Sequence, residues 1–255
     1  MNENISPNPK KLGVAVPSKL DDICVAGITP FTTIDFPGRL AGVFYLQGCL
    51  WRCRYCYNPE FWPLPAASQN ESRVSFEKIL EFLNARKGHL DGIVFSGGEP
   101  TIHQHLPAWV QAIKAMGFEI GLHTGGLVPG RLEQVLPFCD WVGLDIKAPF
   151  SHYEKVTQIA GSGETAHQSA RLVFASSVAY ECRTTFHPDL LSEADILEMA
   201  RELVSMGCKR YVLQMFHPDH CSDKKLRESV VPLAGISVDL RRNLQLLFQD
   251  FLIRE

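Results

Sequence analysis

The feature that most constrains the fold and chemistry of this chain is a short loop that carries three cysteines. The loop, residues 48–59, follows the apolar run 41–46 almost directly and contains Cys49, Cys53 and Cys56. Thiolates at this spacing can all reach one metal centre, and soft sulfur ligands select zinc, copper(I) or iron–sulfur clusters. We therefore expect a buried strand that opens at this point into a metal-binding loop.

The number of cysteines bears on which metal is held. A structural zinc site usually has four ligands in two separated pairs, and the four-iron cluster of an electron carrier also has four thiolates. This loop offers three, and a cluster held by three thiolates leaves one iron open to a small molecule. A structural zinc or electron-transfer site without catalysis remains the alternative. The other cysteines are scattered singly: Cys24, Cys139, Cys182, Cys208 and Cys221.

Length and composition are those of an ordinary globular protein. The chain has 255 residues, 45% hydrophobic and 21% charged, with a net charge of −3, and α/β barrels of this size form one domain. No run of Lys and Arg is present, which argues against a nucleic-acid-binding surface. No long apolar run or secretory leader is seen, so we expect a cytoplasmic protein without a membrane span.

Strand and helix patterns alternate after a leader, residues 1–22, that is rich in Pro, Asn and Lys and is expected to be flexible. Two apolar runs, 23–28 and 40–46, are predicted strands, and residues 218–255 are predicted to be a mostly helical extension. The alternation predicts right-handed βαβ units and six parallel strands counted from residue 40. The predicted helix and strand pairs are 75–86 with 92–96, 104–116 with 118–123, 129–137 with 141–146, 164–177 with 180–186, and 192–206 with 210–216.

Polar side chains gather where the predicted strands end, which is where parallel α/β folds place their chemistry. The paired glycines Gly97 and Gly98 allow a close approach to a ligand, and Glu99 and Pro100 follow them. Thr124 ends the next strand and is a candidate binding residue.

Later strands add charged candidates. Asp145 and Lys147 are two residues apart and project to one face, where a buried pair of charges needs a ligand or partner. The fifth strand contributes Arg183, and the sixth ends near Gln214 and His217.

These elements together resemble the radical S-adenosylmethionine (SAM) superfamily. The resemblance rests on the Cys-x3-Cys-x2-Cys loop with Tyr55 before its last cysteine, and on the Gly-Gly-Glu-Pro turn one βα unit later. It implies a partial (β/α)6 barrel over residues 23–217 and one four-iron four-sulfur (4Fe-4S) cluster held by Cys49, Cys53 and Cys56. SAM would chelate the open iron. The SAM contacts so implied are Tyr55, Gly97, Gly98, Glu99, Pro100, Asp145, Lys147 and Arg183.

Further motifs narrow the resemblance to one branch of this superfamily. The approach at residues 27–38, the Tyr-Asn-Pro after the cysteines and the Asp-Ile-Lys strand end resemble the activating proteins of anaerobic ribonucleoside-triphosphate reductase, a branch of the glycyl radical enzyme activases. The resemblance implies that flavodoxin or ferredoxin supplies an electron, that SAM is cleaved to a 5′-deoxyadenosyl radical, and that a glycine of the partner reductase is the target. Activation of another glycyl radical enzyme, such as pyruvate formate-lyase, and radical SAM chemistry on a small molecule are the alternatives. No cysteine lies between Tyr57 and Gly97, so one cluster is expected.

Overall fold

The sheet of this protein is an open, almost entirely parallel barrel. The computed structural model describes residues 23–65, 74–219, 221, 223–229 and 236–254, so the predicted leader lies outside the described residues. Strands follow one another in chain order across the sheet; the first pair is antiparallel and all later pairs are parallel. The eight strands are β1 (Val25–Thr32), β2 (Ala41–Leu46), β3 (Gly92–Gly97), β4 (Glu119–Thr124), β5 (Trp141–Asp145), β6 (Ala179–Phe186), β7 (Arg210–Met215) and β8 (Asp250–Arg254).

The six predicted parallel strands are β2 to β7, and the predicted α/β partial barrel is confirmed. Within the described ranges no ladder joins β8 to β1, so the barrel stays open on that side. In this part of the chain no helix is both long and apolar enough to cross a membrane.

Helices connect the parallel strands and cover the outer face of the sheet. Ser75 accepts a hydrogen bond from the Lys78 N–H and begins the first helix, as predicted, and Ser192 with Asp195 forms a capping box for the sixth. The helices are α1 (Phe76–Arg86), α2 (Leu106–Ala115), α3 (Pro129–Val135), α4 (Glu154–Thr157), α5 (Ser162–Ala175), α6 (Glu193–Ser205), α7 (Lys224–Glu228) and α8 (Val238–Leu247).

The end of the chain differs from its prediction. Within the extension 218–255, the apolar pattern from Val238 predicts a helix through Leu252, but α8 ends at Leu247 and β8 then pairs with β7. The helical prediction for residues 250–252 was therefore wrong. The reason is tertiary packing, because Phe248 and Phe251 stack on Tyr211 of β7 with ring centres 4.7 and 6.1 Å apart.

The first predicted loop also contains more strand than expected. β1 continues through Pro30 to Thr32 with a register shift against β2. Proline is tolerated there because β1 is an edge strand, and the missing N–H is not needed by a second neighbour.

Phe36, from the connection between β1 and β2, fills the barrel interior at the start of the strands. It packs with Ala41, Val43, Val94 and Trp141 in a small core of its own. A Cβ atom on Gly92 would lie 2.9 Å from the Phe36 ring, and one on Gly121 would lie 2.9 Å from Val94 and also close to Phe36. The missing side chains at these two positions make room for Phe36. Phe36 therefore fills the part of the interior next to the first residues of β2.

Glycine contacts lock the cysteine loop to the turn after β3. The Glu99 N–H donates to the Gly48 carbonyl at 2.9 Å, and the Gly98 N–H donates to the Leu46 carbonyl at 2.8 Å. Gly97 has φ +105°, a conformation that favours glycine. A Cβ on Gly98 would lie 2.2 Å from the Gly48 carbonyl oxygen. Backbone therefore packs on backbone directly beside the first cysteine.

We predict that Gly98→Ala lowers the free energy of unfolding by about 1–3 kcal/mol, because the added methyl group must push the two loops apart. Gly130→Ala is the matched control: its Cβ would meet nothing within 4 Å, so we expect a gain of about 0.4–1 kcal/mol from the lost chain entropy. Chemical denaturation measures both. Equal stability of Gly98→Ala and the parent chain would contradict the packing described.

Candidate functional site

A cavity of about 790 Å³ opens at the carboxyl ends of the strands. Its walls come from the cysteine loop, from residues of β3 to β8 and from the connection between β1 and β2, so residues distant in sequence meet there. The predicted site residues that line it are Cys49, Cys53, Tyr55, Cys56, Gly97, Gly98, Glu99, Thr124, Asp145, Lys147 and Arg183.

Backbone hydrogen bonds hold the cysteine loop in place over this cavity. The Arg52 N–H donates to the Thr157 carbonyl at 2.9 Å and the Arg54 N–H donates to that of Val156 at 3.1 Å, which ties the loop to α4. The Cys49 N–H donates to the Trp62 carbonyl at 3.2 Å. The loop is thus fixed on both sides, and its three thiols reach one wall of the cavity.

The thiols lie in surroundings that disfavour bare thiolates. Burial raises the pKa of Cys49 to about 12 and that of Cys53 to about 11, and it raises the pKa of Cys56 as well. A metal centre would supply the positive charge that replaces the protons.

The chemistry of the donor set fits an iron–sulfur cluster. The three thiols Cys49, Cys53 and Cys56 reach one cavity, and thiolates are the soft ligands that hold such clusters. Three thiolates would leave one position of a 4Fe-4S cluster for a ligand that enters from the cavity.

Glu99 is held rigidly at the cavity wall. Only 3% of this residue is exposed, and its carboxylate accepts hydrogen bonds from the Thr101 N–H at 3.0 Å, the Thr101 hydroxyl at 2.6 Å and the Thr124 hydroxyl at 2.5 Å. The Gly125 N–H donates to its second oxygen at 2.8 Å. Four donors thus orient one carboxylate, and Thr124 reaches the cavity next to it.

Lys147 lies buried among aromatic rings at the end of β5. Its ammonium nitrogen is 5.6 Å from the centre of the Tyr55 ring and 6.0 Å from that of Trp51. Burial alone would lower the pKa of Lys147, but Tyr55, Cys53 and Asp145 around it raise the pKa well above its ordinary value. Lys147 therefore places a fixed positive charge in the cavity.

Asp145 links this lysine to β6. Its carboxylate oxygens lie 3.7 Å from the Lys147 nitrogen and 2.8 Å from Nε of Arg183, so the predicted proximity of Asp145 and Lys147 is confirmed. Burial would raise the pKa of Asp145, but Arg183 and then Lys147 lower it below its ordinary value. The three side chains form one charged row along the cavity.

Two predicted site residues lie outside the cavity lining. Pro100 is buried and begins the turn Pro100–Ile102, whose Thr101 holds Glu99. His217 is exposed and lies beyond the end of β7, where its N–H donates to the Tyr57 hydroxyl at 2.9 Å. The structure thus gives no support to a pocket role for His217. Gln214, the other candidate from this strand, does line the cavity.

The cavity also contains polar residues that the sequence analysis did not assign. The Nε2–H of His123 on β4 donates a hydrogen bond to the Asp35 carbonyl at 2.8 Å, and burial lowers the pKa of His123 to about 4. Glu181 lies two residues before Arg183 on the same strand face, a spacing that could have indicated it. Arg210 and Arg254 also line the cavity. The sequence did not indicate Arg254 as a site residue, because β8 was not predicted.

Comparison with known proteins agrees with the geometry. The model of the radical SAM superfamily matches residues 43–174, just over half of the chain. A Methanocaldococcus jannaschii protein named as a glycyl-radical enzyme activating enzyme is 29% identical over 218 residues, which cover 82% of this chain and 86% of that protein.

Two further relatives match in part. The pyruvate formate-lyase 1-activating enzyme of Escherichia coli K12 is 30% identical over 122 residues, 45% of this chain and 48% of that enzyme. Streptococcus suis SuiB bound to the precursor peptide SuiA has the same fold, with a TM-score of 0.60 and 13% identity over 84% of this chain and 48% of SuiB. The chain thus spans about half the length of these two proteins. The matched family model, the three cavity thiols and the open parallel barrel agree, and the chain belongs to the radical SAM superfamily.

Proposed function

We propose that this chain is a glycyl-radical enzyme activating enzyme and that its target is an anaerobic ribonucleoside-triphosphate reductase. The observation that carries the proposal is the convergence of three thiols, a fixed carboxylate and a buried lysine on one cavity at the open end of the barrel. The activase class is also supported by the name of the Methanocaldococcus relative, which aligns along most of both chains. The reductase is supported by the motifs of residues 27–38 and 57–59.

Three cysteines are proposed to bind the metal cofactor. Cys49, Cys53 and Cys56 would hold one 4Fe-4S cluster, and an electron donor such as flavodoxin or ferredoxin would reduce it. When bound and reduced, the cluster would supply the electron for cleavage of SAM to methionine and a 5′-deoxyadenosyl radical. All other steps depend on how the chain orients SAM and admits the target.

The charges in the cavity match the ends of a SAM molecule. Glu99 is an anionic acceptor for the SAM amino group, and Lys147 is a cation for the SAM carboxylate. Arg183 is paired with Asp145, so its remaining N–H groups are the ones available to SAM. Tyr55 is 6% exposed and offers a ring face for the adenine.

The target bond is proposed to be the Cα–H bond of a glycine. The 5′-deoxyadenosyl radical takes that hydrogen atom, which yields 5′-deoxyadenosine and leaves the unpaired electron on the glycine. A glycine suits the reaction because no Cβ atom prevents a close approach of its Cα atom. The opening between β8 and β1 provides a way in for a loop of the partner.

Activation of a pyruvate formate-lyase is the second candidate, because the relatives from Escherichia coli and Clostridium pasteurianum carry that name. Both candidates use the same cofactors and the same chemistry. They differ only in which partner protein receives the radical.

The proposed function predicts one 4Fe-4S cluster per chain after reconstitution without oxygen, with about four irons and four sulfides. Cys53→Ser removes a ligand and should abolish most of the cluster, whereas Cys139→Ser changes a buried thiol outside the cavity lining and should keep it. Iron analysis and absorption spectra measure both. Close to eight irons per chain, or a full cluster in Cys53→Ser, would contradict the assignment.

SAM binding should depend on the two fixed charges. Glu99→Ala and Lys147→Ala each remove a charge-assisted contact of about 1.5–3 kcal/mol, so we expect the Kd for SAM to rise roughly ten- to a hundredfold. Titration calorimetry on the cluster-loaded variants measures the Kd, and iron content checks that the cluster persists. An unchanged Kd in both variants would show that SAM binds elsewhere.

The function itself is tested by mixing reduced enzyme, SAM and the candidate reductase without oxygen. We expect a glycine-centred doublet in the electron paramagnetic resonance spectrum, lost when the target glycine of the reductase is changed to alanine. A parallel sample with a pyruvate formate-lyase separates the two candidates. SAM cleavage that leaves no radical on either protein would refute the proposed activase.

A further inference from the structure

The strand that the sequence analysis missed brings a charged group into the reaction cavity. Arg254, the last residue of β8, lines the same cavity as the three cysteines. Its two terminal nitrogens donate to the two carboxylate oxygens of Glu181 at 3.0 and 3.2 Å. The side chain of Glu181 is only 2% exposed, whereas that of Arg254 is 38% exposed. The pair therefore has a buried anion and a guanidinium that faces open space.

The cluster of charged side chains around Arg254 has no net charge, but Arg254 keeps N–H donors that no carboxylate in it accepts. Arg210 lies 3.7 Å from Glu181 and 2.6 Å from Asp250, so two arginines face two carboxylates. A guanidinium has five N–H donors, and Arg254 directs one from each terminal nitrogen to Glu181. The remaining donors of Arg254 suit neutral acceptors, such as peptide carbonyl groups, better than a second anion.

The surface beside Arg254 is apolar and unpaired. Leu252 lies on the same face of β8 as Arg254, because strand residues two apart share a face, and it is 46% exposed. Phe251 and Ile253, on the other face, pack against the main core. Leu252 is exposed on the inward face because no strand follows β8 in the described sheet.

A second exposed apolar side chain lies at the same cavity. Ile34, in the connection between β1 and β2, is 84% exposed and lines the cavity. An extended segment that entered the cavity over β8 would meet Leu252 and the free donors of Arg254, and Ile34 offers further apolar surface inside.

We propose that β8 forms one wall of the path by which the glycine-bearing segment of the partner protein reaches the cavity, with Arg254 binding backbone carbonyl groups of that segment. The inference rests on the proposed activase function and adds the residues that bind the polypeptide. β8 then has a role separate from the cofactor residues, because it contributes neither a thiol nor any of the residues proposed to bind SAM.

The test compares partner binding in variants that do not leave the negative charge of Glu181 without its partner at residue 254. Arg254→Lys keeps one positive charge for Glu181, and the double variant Glu181→Gln with Arg254→Gln removes both charges together. Leu252→Ser touches no ion pair and serves as the independent variant if the charged changes impair folding. Arg241→Gln, an exposed arginine on α8, is the control.

The measured quantity is the rate of glycyl radical formation against the concentration of an anaerobic ribonucleoside-triphosphate reductase from the same genome. We expect the KM for the reductase to rise about tenfold in the double variant, which corresponds to about 1.4 kcal/mol, and severalfold in Arg254→Lys and Leu252→Ser. The kcat should stay within about twofold, and Arg241→Gln should behave as the parent chain. A purely structural ion pair would instead lower thermal stability and leave the KM unchanged.

The outcomes separate this inference from the proposed function. A doublet from the parent enzyme with an unchanged KM in Leu252→Ser and in whichever Arg254 variants fold overturns the inference and leaves the activase function standing. No doublet from the parent enzyme with either the reductase or a pyruvate formate-lyase overturns both.

Discussion

A close contact between two backbones holds the site of this protein together. Gly98 lies so near the Gly48 carbonyl that no side chain fits between them, and the Glu99 N–H donates to that carbonyl. This contact fixes the distance between the first cysteine and the carboxylate of Glu99. A cofactor that must touch both the metal centre and this carboxylate needs that distance to be constant, because small displacements of bound groups cost much of the rate.

The second constraint is the charge inside the barrel. Lys147, Asp145 and Arg183 form a row that is joined by ion pairs and carries one net positive charge, and Glu181 is paired with Arg254 and Arg210. Buried charges persist only when they are paired. Phe36 fills the interior beside the start of β2, and these charged groups face the same cavity as the cysteine loop.

Local signals predicted the central fold, and tertiary packing decided the rest. The strands β2 to β7 are short apolar runs divided by helices with their own start signals, such as Ser75 before α1, so alternation alone revealed them. Phe251 and Leu252 of β8 continue the helical spacing of the apolar residues in α8, and their strand depends on packing against Tyr211 and pairing with β7. For that reason the sequence did not indicate Arg254 as a residue of the cavity. The sequence offered both Gln214 and His217 at the end of β7, and only the structure shows that Gln214 lines the cavity, because a sequence pattern does not show where a strand's last inward residue lies.

The central claim is that this chain transfers a hydrogen atom from a partner glycine to the carbon released from SAM. It is tested most directly with a partner protein whose glycines carry deuterium at Cα, mixed without oxygen with reduced enzyme and unlabelled SAM. The account predicts one deuterium in the 5′ methyl group of the 5′-deoxyadenosine, detected by mass spectrometry, in an amount that matches the glycyl radical formed. Unlabelled 5′-deoxyadenosine alongside a full radical signal would contradict it.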